Sequence, residues 1–147
     1  MNIDRIIREI ELFDGLKETE VAEITAICKE RRLQPGELLA RQGERGDEMY
    51  IITEGFVEVL LGGRGENPPR VIVNLGPGQV TGEMALLDQG PRSATVRAVS
   101  DPTIVQTIQR QAFEALCRKN TQIGYIVLRN LALDLVFKLR HRNLVDR

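Results

Sequence analysis

The sequence contains no tryptophan, one histidine and two cysteines among its 147 residues. A single histidine cannot supply the several ligands of a typical metal site, so the composition argues against a bound metal. Cys28 and Cys117 lie far apart, each in an apolar segment with helical spacing, which favours buried free thiols over a disulfide. A nucleophilic enzyme would need a base paired with its nucleophile, and the sequence shows no such pair. We therefore expect neither a metal nor catalysis.

The sequence also lacks long apolar runs and an excess of charge of one sign. No uncharged apolar segment approaches the roughly 18 residues that span a bilayer, and Met1 to Arg5 lack the basic-then-apolar order of a signal peptide. The 20 basic and 21 acidic side chains give a net charge of −1, so the overall charge favours neither nucleic acid nor a membrane surface. Length and composition together predict one cytoplasmic domain over residues 1–147.

Hydrophobic spacing divides this domain into three parts. Residues 1–34 carry apolar side chains every three or four positions, which predicts two short amphipathic helices. Residues 110–143 return to helical spacing, with a short helix and then a long one. Between them, glycine-rich turns separate short apolar runs, which predict a small antiparallel β sandwich or barrel. The fold is therefore expected to be mainly β with flanking helices. The predicted strands are residues 37–40, 49–53, 56–61, 70–75, 94–99 and 103–108, with a hairpin loop over 62–69.

The long helix has more apolar residues than one packing face requires. Four of them follow the 4, 3, 4 spacing of a two-helix coiled coil, namely Leu128, Ala132, Leu135 and Leu139. The spacing favours a homodimer through this helix. The alternative is that all four residues pack inside their own domain, since three intervals alone are not specific.

The most informative stretch is residues 81–96, with the sequence TGEMALLDQGPRSATV. Gly82 allows close backbone approach, and the helix-forming residues after it would leave free backbone N–H groups facing an anion. Glu83 offers an acceptor for sugar hydroxyls, and Arg92 offers a planar fork of donors for a phosphate. Alone, either charge would more often be a solvated surface residue. The constellation of both with Gly82 and Ser93 predicts a binding site for a sugar phosphate.

This segment resembles the phosphate-binding cassette of cyclic nucleotide-binding domains, which occur in the catabolite activator (Crp/Fnr) family, in cyclic-nucleotide-dependent kinases and in gated channels. The resemblance covers most of the chain, from Phe13 to the last helix. Elsewhere it rests on P-G-E at 35–37, Gly43, Gly46, Y-I-I at 50–52, Gly55 and V-E-V at 57–59. It implies a jelly roll, or double-stranded β-helix, with N-terminal helices and a long C-terminal helix. It also implies cAMP or cGMP as the ligand.

The resemblance assigns roles to individual positions. Gly82 and Glu83 would hold the ribose, Glu83 through the 2′-hydroxyl, while Arg92 and the Ser93-Ala94 segment would hold the cyclic phosphate. Ile72 and Met84 are candidates for contact with the purine, although both could equally be core residues. Catabolite activators cap adenine with hydroxyls from the long helix, and none occurs around residues 138–140, so the choice of base stays open. The predicted ligand-binding residues are Gly82, Glu83, Met84, Ala85, Arg92, Ser93, Ala94 and Ile72.

The function that follows is a non-enzymatic cyclic nucleotide sensor, which signals to an unidentified protein partner through its last helix. One alternative is a scaffolding or regulatory subunit whose cassette does not bind nucleotide. Another is the effector domain of a truncated transcriptional regulator. Crp/Fnr regulators carry a helix-turn-helix after the long helix, whereas this sequence stops at Arg147, so no direct contact with nucleic acid is expected.

Overall fold

The structure, a computed structural model, describes residues 2–63 and 68–145. The chain begins with α1 (Ile3–Glu9), a single 3₁₀ turn (Glu11–Phe13) and α2 (Glu18–Ile27), which confirms the two predicted helices. Both helices start at a capped end. The side chain of Asn2 accepts a hydrogen bond from the Arg5 amide, and a glutamate carboxylate in α2 accepts one from the backbone N–H just before the helix.

The described residues between these helices and the C-terminal ones form eight strands in two antiparallel four-stranded sheets. One sheet has the order β1-β8-β3-β6 and the other β2-β7-β4-β5. The two sheets enclose an apolar core, as expected for a jelly roll, and the predicted mainly β fold is confirmed. The strands are β1 (Lys29–Leu33), β2 (Leu38–Ala40), β3 (Glu48–Glu54), β4 (Val57–Gly62), β5 (Pro69–Leu75), β6 (Val80–Thr81), β7 (Thr95–Ala98) and β8 (Thr103–Gln109).

Two strands were not predicted, and one of them corrects a boundary. β1 lies in the segment assigned to N-terminal helices, so the β roll begins at Lys29 and not at residue 35. Its first four residues are exposed and charged, and it is held by pairing with β8 instead of by an apolar face of its own. β6 is only two residues long and pairs with β3. The predicted hairpin loop falls partly on residues 64–67, which lie outside the described residues; the flanking strands β4 and β5 do pair as a hairpin.

β3 is the central strand that divides the core into two layers. Met49 and Ile51 face the helices and pack with them, whereas Tyr50 and Ile52 face the space between the two sheets. Because successive side chains point to opposite faces, burial on both sides requires a continuous apolar run, as in Met49 to Ile52. Tyr50 is thereby placed between the sheets, next to the cassette.

The chain ends with α3 (Arg110–Lys119) and α4 (Thr121–Val145). Ile123, Val127 and Leu131 recur every four residues along α4 and are fully buried against the helical layer. The side-chain amide of Asn130 donates hydrogen bonds to the carbonyls of Leu12 and Asp14, at 3.0 and 2.8 Å. These contacts fix the first half of α4 to the N-terminal segment.

Most of α4 between residues 132 and 141 is exposed. Every residue from Val136 to His141 is exposed. Of the four residues predicted to form a dimer seam, three are exposed, while Leu135 is half-buried and packs partly on the helical core. Of these four residues, only Leu135 therefore packs inside its own domain, which was the alternative to a dimer seam.

Both cysteines are free, as the sequence predicts, but each is half-buried and not fully buried. Burial raises the pKa of the Cys28 thiol to about 12 and also raises the pKa of Cys117. Within residues 2–63 and 68–145, no helix is long and apolar enough to cross a membrane, and no cluster of three potential ligands for a metal ion is found.

Candidate functional site

A cleft of about 400 Å³ opens between the sheets on the inner side of the cassette. Four strands supply its floor, through Ala40, Tyr50, Val59 and Val96. Residues of the 81–94 segment form its rim, and these include seven of the eight predicted ligand-binding residues, namely Gly82, Glu83, Met84, Ala85, Arg92, Ser93 and Ala94. The structure therefore brings the cassette residues together around one enclosed space.

A wider and more open hollow of about 650 Å³ lies on the other side of the cassette. Arg45 and Arg110 line it, and it shares Asp88, Gly90 and Pro91 with the inner cleft. The inner cleft is the better site for an organic ligand, because it combines apolar walls with a few polar groups.

Gly82 is required at its position for two reasons. Its φ of 78° lies in the left-handed region, which favours glycine, and it starts a 3₁₀ turn over Glu83–Leu86. A Cβ atom on Gly82 would also come within 2.8 Å of Arg92 Nη1 and 3.2 Å of the Glu48 carbonyl oxygen. The helix-forming residues after Gly82 make only this single 3₁₀ turn and do not form an α-helix.

Glu83 is half-buried at the rim of the cleft. Burial raises the pKa of its carboxyl group, and the positive charge of Lys138 partly offsets this by lowering it. Lys138 lies on α4, where its ammonium group contacts the Asp134 carboxylate at 2.9 Å. The second half of α4 thus brings a charged pair near the cassette, which the sequence did not reveal because the two segments are about 50 residues apart.

Backbone hydrogen bonds join Arg92 to the loop between β2 and β3. The Arg92 amide donates to the Glu44 carbonyl at 2.7 Å, and the Gly43 amide donates to the Arg92 carbonyl at 2.9 Å. The loop therefore fixes where the arginine leaves the main chain.

The Arg92 guanidinium lies over the Tyr50 ring, with its Cζ atom 5.4 Å from the ring centroid. Its Nη2 atom donates a hydrogen bond to the Tyr50 hydroxyl at 3.2 Å. Among the residues that the structure describes, no carboxylate forms a salt bridge with Arg92. Within this described part of the chain, its guanidinium has no direct carboxylate partner, and it lines the cleft as a donor suited to an anion.

The apolar wall of the cleft differs from the prediction at β5. Ile72 does not line the cleft; it lies on β5 with 47% of its surface exposed. The register pairs Val73 with Val59, which does line the cleft, and paired residues share a face of the sheet. Val73, which is 44% exposed, thus shares the cleft face of the sheet with Val59, whereas Ile72 lies at a shift in the register and has no partner residue in β4. The sequence could not distinguish them, because neighbouring β-branched residues fit either phase of the strand.

The sequence matches the family described as cyclic nucleotide-binding domain over residues 30–120. It is 36% identical over 137 residues to the cyclic AMP receptor protein of Thermus thermophilus, covering 90% of this chain and 59% of that protein. It is 34% identical over 130 residues to a cyclic nucleotide-gated potassium channel of Mesorhizobium japonicum, covering 88% and 34% respectively. The solved N-terminal domain of a transcriptional regulator from Streptomyces coelicolor is similar with a TM-score of 0.84 at 26% identity, covering 93% of this chain and 94% of that one.

The chain therefore belongs to the cyclic nucleotide-binding domain family. It spans about three fifths of the receptor protein's length and about a third of the channel's. The family is one of binding and regulatory domains, not catalytic ones.

Proposed function

We propose that this protein is a cyclic nucleotide sensor that binds cAMP in the inner cleft and prefers it to cGMP. The observation that carries the proposal is the placement of Glu83 and Arg92 on the rim of one cleft whose floor is apolar. Arg92, without a salt bridge among the described residues, would bind the cyclic phosphate, and Glu83 would accept a hydrogen bond from the ribose 2′-hydroxyl. Val59 and Val96 offer an apolar surface for the purine.

The preference for cAMP is supported by the similarity to a protein named as a cyclic AMP receptor. Ser93 lines the cleft beside Arg92, and its hydroxyl could serve the phosphate or the base. The polar groups of the site therefore suit the ribose and the cyclic phosphate, which cAMP and cGMP share. A competition experiment with both nucleotides has to establish which one binds more tightly.

Titration calorimetry with cAMP and cGMP tests the proposal. Arg92→Ala removes a charged donor, so we expect cAMP affinity to fall by about tenfold to a hundredfold, equivalent to the roughly 1.5 to 3 kcal/mol of a charge-assisted hydrogen bond. Arg97→Ala is the matched control, because it removes the same charge from β7, where Arg97 is paired with Glu58 and does not line the cleft. We expect the control to change the affinity by less than about twofold.

Two outcomes would contradict the proposal. Unchanged affinity in Arg92→Ala would mean that the arginine does not hold the phosphate. Absence of binding by either nucleotide to the unmodified protein would favour the scaffolding alternative, in which the cassette serves only the fold.

The last helix provides the surface through which we propose that the sensor dimerises. Leu128, Ala132 and Leu139 form an exposed stripe of coiled-coil spacing, continued by the half-buried Leu135. Burial of such a stripe against its copy in a second molecule would remove apolar surface from water, which stabilises association.

Sedimentation of the double variant Leu128→Gln and Leu139→Gln tests this dimer. We expect the variant to be monomeric at concentrations where the unmodified protein is a dimer. Leu133→Gln is the control, since Leu133 is also exposed but lies about 140° further around the helix from Leu128. A monomeric unmodified protein at high micromolar concentration, with and without cAMP, would refute the dimer.

The signal would pass from the cleft to α4, whose Lys138 lies near Glu83. A ligand shifts the helix only if it binds one helix position more tightly than another, so the proposal requires different cAMP affinities for the two positions. The shifted helix would then present a changed surface to an unidentified protein partner. The proposed role involves no catalysis and no metal.

A second candidate function is the ligand-binding domain of a transcriptional regulator. It is favoured by the similarity to the N-terminal domain of such a regulator, of which this chain covers 94%. The open reading frame distinguishes the two functions. Codons for a helix-turn-helix after Arg147 would support the second candidate, and an immediate stop codon would exclude it.

A further inference from the structure

The Tyr50 hydroxyl lies at the junction of three polar groups beneath the cleft. Tyr50 is 1% exposed, and its hydroxyl oxygen lies 2.7 Å from the Glu48 carboxylate, 2.9 Å from the Leu39 carbonyl oxygen and 3.2 Å from Arg92 Nη2. Buried polar groups are costly unless they are paired, so this arrangement is a defined part of the structure.

The direction of each hydrogen bond follows from the atoms involved. Arginine can only donate, and an ionised carboxylate or a carbonyl can only accept. A hydroxyl has one hydrogen, so the Tyr50 oxygen accepts from Arg92 while its hydrogen is directed to Glu48 or to the Leu39 carbonyl. Burial, with a further contribution from Glu48, raises the pKa of the Tyr50 phenol, so it keeps this hydrogen at neutral pH. The result is a relay in which Arg92 donates to Tyr50 and Tyr50 donates onward.

The space around the guanidinium is equally restricted. A Cβ atom at Gly46 would lie 2.2 Å from Arg92 Nε, and one at Gly82 would lie 2.8 Å from Nη1. The ring of Tyr50 packs on the guanidinium as well. The arginine thus occupies a slot between two glycines, and the Tyr50 hydroxyl supplies a directional contact within it.

We propose that Tyr50 is a positioning residue that holds the Arg92 guanidinium in its phosphate-binding orientation before the ligand arrives. This inference rests on the proposed function, because it assumes that Arg92 binds the cyclic phosphate. A free arginine side chain has many rotamers, and fixing one of them in advance removes that entropic cost from binding. Tyr50 improves affinity through Arg92 and needs no contact with the ligand.

Tyr50→Phe tests the inference, because it removes the hydroxyl and keeps the buried ring. We expect cAMP affinity to fall by about three- to tenfold, in line with the loss of a single hydrogen bond. Tyr125→Phe is a matched control, since Tyr125 lies on α4, is 64% exposed and is the only other tyrosine of the sequence. The cAMP affinity of Tyr125→Phe should equal that of the unmodified protein.

A double-mutant cycle separates positioning from a general structural role. In the Arg92→Ala background, Tyr50→Phe should weaken cAMP binding by less than about twofold, because the residue that it positions is gone. A merely structural role would lower the affinity by the same factor in both backgrounds. Glu48→Gln keeps an acceptor for the Tyr50 hydroxyl but removes the carboxylate charge. We therefore expect a smaller loss of cAMP affinity than in Tyr50→Phe.

The outcomes distinguish failure of the inference from failure of the proposed function. Unchanged cAMP affinity in Arg92→Ala would overturn the proposed function itself. If Arg92→Ala weakens binding while Tyr50→Phe leaves it unchanged, or weakens it equally in both backgrounds, only the positioning role is overturned. Urea unfolding of each variant verifies that the comparison is made between folded proteins.

Discussion

Gly46→Ala is the sharpest test of how the arginine slot works, because it moves Arg92 without changing any charge. An alanine Cβ would lie 2.2, 2.3 and 2.6 Å from the Nε, Cζ and Cδ atoms of Arg92. Real Cβ atoms do not approach other heavy atoms so closely, so the guanidinium has to leave its position. The backbone itself tolerates alanine, since the φ of Gly46 lies outside the positive region that favours glycine.

The structure predicts a large effect on binding and a small one on stability. Displacing the guanidinium removes at least one charge-assisted hydrogen bond to the ligand, about 1.5 to 3 kcal/mol, so cAMP affinity should fall by about tenfold to a hundredfold. The lost bond to Tyr50 costs about 0.5 to 1.5 kcal/mol of unfolding free energy. Replacing glycine by alanine also lowers the entropy of the unfolded chain, which raises the unfolding free energy by about 0.4 to 1 kcal/mol. The net change in stability should therefore stay below about 1 kcal/mol.

Calorimetry with cAMP and urea unfolding measure the two quantities on the same protein. Gly76→Ala is the matched control, because a Cβ there meets open space and its φ is also outside the positive region. The control should bind cAMP normally. Normal cAMP affinity in Gly46→Ala would refute the reasoning, since it would show that the ligand does not need Arg92 in the slot.

Three further predictions concern the cleft and the last helix. The pKa of Glu83 is raised by burial, so the folded protein holds the carboxyl proton more tightly than the unfolded chain and loses stability as the pH rises between the two pKa values. Urea unfolding should accordingly find unliganded Glu83→Gln more stable than the unmodified protein at neutral pH, with the difference vanishing at acid pH; a less stable variant at neutral pH would contradict this. Val73→Asn should weaken cAMP binding by roughly fivefold through loss of apolar contact with the purine, whereas Ile72→Asn, at the shift in the register and outside the cleft lining, should not; calorimetry giving equal losses of affinity would contradict this assignment. Asn130→Ala removes two hydrogen bonds to N-terminal carbonyls and should lower the unfolding free energy by about 1 to 2 kcal/mol in urea unfolding, and an unchanged value would mean that these bonds do not hold α4.

The candidate site was largely predictable because its residues are close together in the sequence. Gly82, Glu83 and Arg92 belong to one short segment, and their spacing carries the resemblance to the family. The segment now lines one cleft, although which of its residues bind the ligand stays a prediction.

Other parts of the site were not predictable because they come from distant segments. Tyr50 carries no local sign that its hydroxyl contacts Arg92, since the contact depends on how β3 packs behind the cassette. Lys138 acts on the pKa of Glu83 although about 50 residues separate them in the sequence, so only the packing of the folded chain relates the two charges. Similarly, β1 is charged and exposed, so only its hydrogen bonds to β8 make it a strand.

The sequence by itself determined the family, the mainly β fold and the residues of the cassette, because these depend on local spacing and on glycines at fixed positions. The tertiary structure decided how those residues are used. It placed Arg92 in a slot between Gly46 and Gly82, paired Val73 and not Ile72 with the cleft residue Val59, and left the stripe on α4 exposed apart from Leu135. The physical reason is that strand register and helix packing are set by contacts between residues far apart in the chain, which no short window of sequence contains.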